Sequence, residues 1–338
     1  MNSGPLTSNP VKLGIHHFTI LSLLSCGNSS NVLLVRKKDC QRLFVMKIYS
    51  KKKLGKPEQI ARIQTEQQIL RENLASPFLV RLYCSFQTRK KLILVMDYCP
   101  GGDLFSVIHK HEKLSEGQAR FYCAQLVIAL EHLHSLGIVY RDLKPENVLI
   151  DHQGYIRLAD FGLSKLTCSS DQKIKSMCGT PEYFAPEIIT AKEYGREVDY
   201  WALGCIIVEM ITGNPPFYSP NPVELFNLIT TKKPKLPPFI STELRILITS
   251  LLERDPAKRL ATNLRDHPWF KNVNWERIIA KKYASPFSPE IGSDFGLSNF
   301  QHLDFQSDNH FSEHSGSKRK SSAASNVKLD NFSWQESM

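Results

Sequence analysis

Nowhere in this 338-residue chain do the roughly 20 consecutive apolar residues of a membrane-spanning helix occur. The opening stretch, Met1 to Pro10, is polar and has none of the charged-then-apolar layout of a secretory leader. A myristoylation start and a prenylation end are missing too. The eight cysteines (Cys26, Cys40, Cys84, Cys99, Cys123, Cys168, Cys178 and Cys205) show no paired spacing, so neither a zinc site nor a disulfide framework is indicated. They read as reduced thiols of a cytoplasmic protein, with the nucleus as a second compartment. Internal repeats are absent. A formal net charge of +10 raises nucleic acid or acidic lipid as partners. The basic residues, however, fall in short runs such as Lys51-Lys52-Lys53, Arg89-Lys90-Lys91 and Lys318-Arg319-Lys320. No aromatic-interleaved stripe forms, so they read as solvated surface and no nucleic-acid partner is expected.

What is present is ordinary globular material, 42% hydrophobic and 22% charged, enough for one large domain or two lobes. From Phe18 to about Tyr98 the pattern is strand-like, with one helix. The run from Leu43 to Tyr49 predicts a strand, with Val45, Lys47 and Tyr49 on one face. Ile60, Ile63, Leu70 and Leu74 recur at helical spacing. From Gly101 to Phe270 helical patterns dominate, and Val198 to Thr212, apolar on nearly every side, predicts a buried helix. After Phe270 the chain turns Ser- and Asn-rich, with isolated aromatics at Phe287, Phe300, Phe305, Phe332 and Trp334. That composition reads as a tail laid over a domain and partly disordered.

The chemistry concentrates between Tyr140 and Asp160. Val148-Leu149-Ile150 and Tyr155-Ile156-Arg157-Leu158 flank an Asp/Gly turn, which predicts a hairpin. Its open ends bring the Asn147 amide beside the Asp160 carboxylate, a pair suited to a hard cation such as magnesium holding phosphate oxygens. Just upstream, Asp142 is placed to accept a hydroxyl proton and Lys144 to neutralise a phosphoryl group.

These residues carry a family resemblance. Tyr140 to Asn147 resembles the catalytic loop of eukaryotic protein kinases, with Tyr for the usual His. Asp160-Phe161-Gly162 resembles the magnesium motif, and Ala185-Pro186-Glu187 the end of the activation segment. In this order and at these separations the three together are very specific. The resemblance implies ATP and Mg2+ as cofactors, Asp142 and Lys144 as catalytic residues, and Asn147 and Asp160 as metal ligands. Lys47 resembles the kinase β3 lysine. Its implied partner is Glu66, set at the edge of a helical apolar stripe where an unpaired carboxylate would be costly. Val32, Val45 and Leu149 resemble the residues that sandwich adenine. Met96 matches the gatekeeper, and Asp97 to Cys99 the backbone that faces the base. Leu70, Leu82, Tyr140 and Phe161 resemble the regulatory stack.

One element departs from the pattern. Where kinases carry Gly-x-Gly-x-x-Gly, this chain reads Ser25-Cys26-Gly27-Asn28-Ser29-Ser30, and only Gly27 survives. A serine forced to φ > 0 would cost roughly 1–2 kcal/mol, so weaker nucleotide affinity is expected. The same departure motivates an alternative, a pseudokinase scaffold.

Within kinases the resemblance is closest to the AGC group. Tyr140-Arg141-Asp142 and the stretch from Lys175 to Glu182 are typical of it, and place a phosphosite at Ser176, where phosphate would meet Arg141. Glu187 and Arg259 match a structural ion pair, and Asp199 a brace under the catalytic loop. Asp103, also a nucleotide-site position, joins Glu146 and Glu209 at positions that bind arginines preceding the target residue. In the tail, Ser298-Asn299-Phe300 resembles a nucleotide-proximal stretch, although Gln301 replaces an acid. Leu329 to Trp334 resembles the group's hydrophobic motif, with Ser333 as a second regulatory site. The turn-motif Ser/Thr-Pro is missing, Ser312 being a weak substitute, and Ser321 and Ser322 resemble basophilic sites.

The expected fold is α+β, the bilobal kinase fold: a five-stranded antiparallel sheet with one key helix, and a larger helical lobe. The expected divisions are an extension over 1–17, a kinase domain over 18–270 (lobes 18–98 and 99–270) and a tail over 271–338. The expected partners of this monomer are protein substrates with basic Ser/Thr motifs and an upstream activating kinase.

Overall fold

A computed structural model of the chain describes residues 13–27, 30–72, 76–167, 172–300 and 329–336. Asn28, Ser29, Leu74, Cys168, Gln301, Phe305, Ser312, the basic run at 318–320, Ser321 and Ser322 lie outside the described residues. The chain forms two compact units. The first takes residues up to Ile60, Arg81–Tyr98 and residues from Leu303 onward; the second takes Ala61–Val80 and Cys99–His302.

The first unit is an antiparallel sheet. Strands β1 (Phe18–Cys26), β2 (Ser30–Lys37) and β3 (Leu43–Ser50) run in succession, and helix α1 (Pro57–Glu72) begins in this unit. Strands β4 (Leu82–Gln87) and β5 (Lys91–Asp97) complete its sequential part. β3 is buried along nearly its whole length, which its apolar run requires of a central strand. Leu33, Phe44, Met46, Ile93 and Val95 pack on one face with Phe18 and Phe86. Register places Val32 opposite Lys47 and Val45 opposite Met96. Directly opposed residues share a face, so Val32, Val45, Lys47 and Met96 occupy the other one.

The second unit is mainly helical. After α2 (Leu104–His111) comes α3 (Glu116–Ser135), opened by a reciprocal cap between Ser115 and Gln118. Short strands β6 (Ile138–Val139), β7 (Val148–Ile150), β8 (Ile156–Leu158) and β9 (Lys165–Leu166) follow, β7 pairing with β8 and β6 with β9. Then come α4 (Pro186–Ile189), α5 (Glu197–Thr212), α6 (Pro222–Thr231), α7 (Thr242–Leu251) and α8 (Trp275–Ile279). α5 is the buried helix that its apolar composition predicts; it ends at Gly213, whose φ of 80° a side chain would resist. Arg259 and Glu187 form a bidentate ion pair at 2.6 and 2.9 Å beside Trp201, both side chains buried. Among the described residues, no helix is long and apolar enough to cross a membrane.

Two segments of the tail are held in place by hydrogen bonds. Residues after Phe270 include α8 and are bonded into the second unit: Tyr155 donates to the Tyr283 carbonyl at 2.7 Å, and Ser285 to Gly154 at 2.8 Å. At the far end, β10 (Trp334–Gln335) adds itself to β4, so the sheet runs β1-β2-β3-β5-β4-β10 among the described residues. The expected five strands are thus six. β4 would otherwise be an edge with unpaired main-chain groups, and the tail fills that need.

Candidate functional site

The loop between β6 and β7 is held from below. Asp199, in the first turn of α5 and 1% exposed, accepts the backbone N–H groups of Tyr140 and Arg141 at 2.9 and 2.8 Å. His134 lies 2.8 Å from the same carboxylate. These bonds hold Arg141 at φ 69°, a conformation non-glycine residues seldom adopt and which persists only where surroundings impose it.

On this frame Asp142 is fixed by three neighbours. The Asn147 amide donates to its carbonyl and its carboxylate at 2.8 and 2.9 Å, and the Thr180 hydroxyl donates to the other carboxylate oxygen at 3.0 Å. Lys144 donates to Thr180 at 2.9 Å and stands 3.9 Å from Asp142. The predicted hairpin is present, with Val148 opposite Leu158 and the Ala159 N–H bonded to Asn147 at 2.9 Å. Its open end therefore carries Asn147 and Asp160 together. Because Asn147 spends its NH2 on Asp142, its amide oxygen is the atom left to face a cation. Asp160, at φ 53°, accepts the Gly162 N–H at 3.1 Å. Glu66 is 1% exposed, as its helical position predicts, and a Cβ built on Gly162 would stand 3.8 Å from its carboxylate.

Arg141 turns its side chain to the segment that follows β9. It donates to the Leu163 carbonyl at 2.7 Å, to the exposed Ser176 hydroxyl at 2.8 Å and to Tyr194 at 3.3 Å. Tyr194 in turn donates to the Ser176 carbonyl at 2.6 Å. Gly179 has φ 114°, and a Cβ there would stand 2.7 Å from the Arg141 carbonyl, so this close passage requires glycine.

A second acidic cluster lies beside the loop. Glu209, on α5 and 4% exposed, accepts from the Tyr183 hydroxyl at 2.6 Å. Burial pushes its carboxyl up to about 7; Glu146 and Glu182 push the same way, and the Tyr183 bond opposes them. One carboxylate oxygen of Glu146 is buried without a hydrogen-bond partner. Asp103, 1% exposed, spends one oxygen capping α2, accepting the Ser106 N–H at 2.8 Å.

Of the remaining candidates, Val32, Val45, Lys47 and Met96 share one face of the first unit, with Asp97 ending β5. Cys99 and Leu149 belong to the second unit, where Gly101 and Gly102 bond to Ile150 on β7. Lys47, 8% exposed, belongs to the first unit and Glu66 to the second. In the stack, Tyr140 and Phe161 meet edge-on at 5.5 Å. Gly27 bonds to the Ser30 carbonyl at 2.8 Å, and neither Ser25 nor Ser30 has positive φ. The strain expected of the serines is therefore not present at those two positions: both sit in paired strands, β1 and β2.

Four residues were not read from the sequence as functional. Thr180 lies inside the stretch from Lys175 to Glu182 that resembles the family and could have been found there, and Tyr183 directly follows it. Tyr194 and His134 carry no local signal; only folding brings them to Ser176 and Asp199.

Comparison with known proteins identifies the family. The protein kinase domain profile matches residues 18–270. A RAC family serine/threonine-protein kinase homolog of Dictyostelium discoideum is 42% identical over 295 residues, 86% of this chain and 66% of that protein. Serine/threonine-protein kinase Sgk1 of Gallus gallus is 41% identical over 309 residues, 90% of this chain and 70% of that protein. The human Sgk1 is 40% identical over 305 residues, 89% of this chain and 70% of that protein. The chain belongs to the protein kinase family, as a serine/threonine kinase of the AGC group.

Proposed function

We propose that this chain transfers the γ-phosphoryl group of ATP to Ser or Thr of proteins, prefers arginine before the target residue, and is controlled by phosphorylation at Ser176 and Ser333. The observation that carries the first part is Asp142, held on both carboxylate oxygens by Asn147 and Thr180 with Lys144 beside it. Asp142 takes the proton of the substrate hydroxyl as its oxygen bonds to the γ-phosphorus; the bond to the β–γ bridging oxygen breaks and ADP departs. Lys144 and Lys47 neutralise phosphate charge. The donor set at the hairpin end, one amide oxygen and one carboxylate, fits a hard cation that takes its other ligands from phosphate and water. Asn147 and Asp160 would hold magnesium, which would supply positive charge to the phosphates. Val32, Val45, Leu149, Met96, the backbone from Asp97 to Cys99, and Asp103 take the nucleoside, and Gly27 the phosphate loop.

Arginine preference rests on Glu146 and Glu209, with Asp103 beside the nucleotide. Glu209 is buried and half-buried Glu146 has one buried carboxylate oxygen without a partner, and a substrate guanidinium supplies a cation to both. The preferred arginines stand three and two residues before the target. Control at Ser176 rests on its bond to Arg141, which becomes a charge-assisted contact once phosphate is added. We assign residues 1–17, 18–270 and 271–338 to the extension, kinase domain and tail, and the protein to the cytoplasm and nucleus as a monomer. The pseudokinase alternative drew on strain in the Gly-rich loop, and Ser25 and Ser30 give it no support.

The test is transfer from labelled Mg·ATP to an arginine-patterned peptide library, with and without phosphate on Ser176. Transfer enriched for arginine supports the proposal. Silence in both states, or preference for acidic or proline-directed peptides, contradicts it.

A further inference from the structure

Two basic runs that lie far apart in the chain meet at one end of the first unit's sheet. β3 pairs with β5 as far as Ser50 opposite Lys91, so the short helical turn Lys51–Lys53 lies beside the β4–β5 turn that carries Arg89 and Lys90. The Lys51 N–H donates to the Lys90 carbonyl at 2.9 Å and ties the two turns together. Thr88 braces the second turn. Its N–H donates to the Lys91 carbonyl at 2.9 Å, and its hydroxyl oxygen accepts the Lys90 and Lys91 N–H groups at 3.3 and 3.0 Å. The Lys51 ammonium turns inward to Gln87 at 2.8 Å, whereas Lys52, Lys53, Lys56, Arg89 and Lys90 are exposed. Elsewhere exposed bases find acids, as Lys173 does with Glu197 at 3.7 Å and Lys258 with Asp255 at 3.6 Å. Among the described residues, none of the five exposed bases on these turns forms an ion pair. The acids nearest to them along the chain are Glu58, just past Lys56, and Asp330, next to the Leu329 that Gln87 binds.

We propose that these two turns form one docking surface for an anionic membrane, with phosphatidylserine headgroups as the ligand. Clustered bases beside a leaflet are drawn to it by its negative surface potential. Four of the five exposed bases are lysines, compact charges on flexible stems that suit a diffuse anionic plane better than bidentate reading of one group. No aromatic residue lies in 51–56 or 88–91, so the surface has no platform on which a nucleic-acid base could stack. No large apolar side chain is exposed there either, so attachment is electrostatic, reversible and weakened by salt. The inference goes beyond phosphoryl transfer and does not rest on it.

The experiment is sedimentation of the full chain with vesicles of phosphatidylcholine alone or with about 30% phosphatidylserine, an anionic surface of the kind a polybasic segment senses. Binding is expected to be at least about tenfold stronger to the anionic vesicles, and to fall about tenfold between about 0.05 and 0.2 M salt. Lys52→Glu with Lys53→Glu should weaken it about tenfold or more, and so should Arg89→Glu with Lys90→Glu. Lys232→Glu with Lys233→Glu, exposed bases of the second unit, makes the same change in net charge and should stay within about twofold of the parent. Lys52→Arg with Lys53→Arg keeps the charge and should also stay within about twofold, which separates lost attraction from a damaged fold. The proposal is overturned if both kinds of vesicle bind alike, or if the pairs on the two turns behave like the Lys232 and Lys233 control. It is equally overturned if a short uridine RNA binds these turns more tightly than the vesicles at the same salt. Sedimentation needs no transfer reaction, so a chain that proves inactive does not bear on this result.

Discussion

Two acidic sites lie side by side at the loop between β6 and β7, and they are built on opposite principles. Asp142 is saturated: an amide, a hydroxyl and a nearby ammonium define where both oxygens point. Glu209, which is buried, accepts from the Tyr183 phenol, and a buried oxygen of half-buried Glu146 has no partner. A saturated carboxylate is pre-organised and loses nothing to reorganisation when a proton arrives. An under-satisfied pair is costly in the free protein, and that cost is relieved when a cation enters. The first arrangement suits chemistry and the second suits recognition.

The comparison breaks most visibly at Asp142. Asp142→Asn is expected to lower kcat by about 10³-fold with little change in peptide KM, measured by steady-state transfer. Glu209→Gln should do the reverse, raising KM for arginine peptides by about 30-fold, the scale of a lost charge-assisted contact, while kcat and alanine-substituted peptides are unaffected.

A pH series sharpens the contrast. Glu209 has its carboxyl raised to about 7 by burial, so below that pH it is increasingly neutral and above it charged. Only the charged form attracts a guanidinium. KM for an arginine peptide, divided by that for its alanine counterpart, should therefore fall as pH rises from 6 to 8, by up to about tenfold. The smallest effect is expected at Tyr183. Its hydroxyl opposes the upward shift of Glu209, so Tyr183→Phe should move the midpoint of that pH profile upward, changing KM at pH 7 by about two- to threefold.

Legibility from the sequence followed the range of the interactions. Asp142, Lys144, Asn147 and Asp160 lie within one loop and one hairpin, so spacing alone placed them. Glu66 and Lys47 were readable as buried because periodicity assigns a face before the fold is known. Tyr194 and His134 were not: they act across 18 and 65 positions, and a lone Tyr or His carries no periodic signature. The sixth strand was half legible, since Phe332 and Trp334 stood out as aromatics, but pairing with β4 depends on an unfilled edge elsewhere in the chain. The Gly-rich stretch misled in the other direction. Missing glycines were read as strain, yet Ser25 and Ser30 sit in extended, paired backbone where a Cβ costs nothing.

The division of labour between the two acidic sites is tested most directly by measuring kcat and KM side by side for Asp142→Asn and Glu209→Gln on one arginine peptide and its alanine counterpart. The account predicts that the first variant loses kcat on both peptides, and that the second loses only affinity and only for arginine. If both variants fail in the same parameter, or if Glu209→Gln treats the two peptides alike, the two sites do not have separate roles.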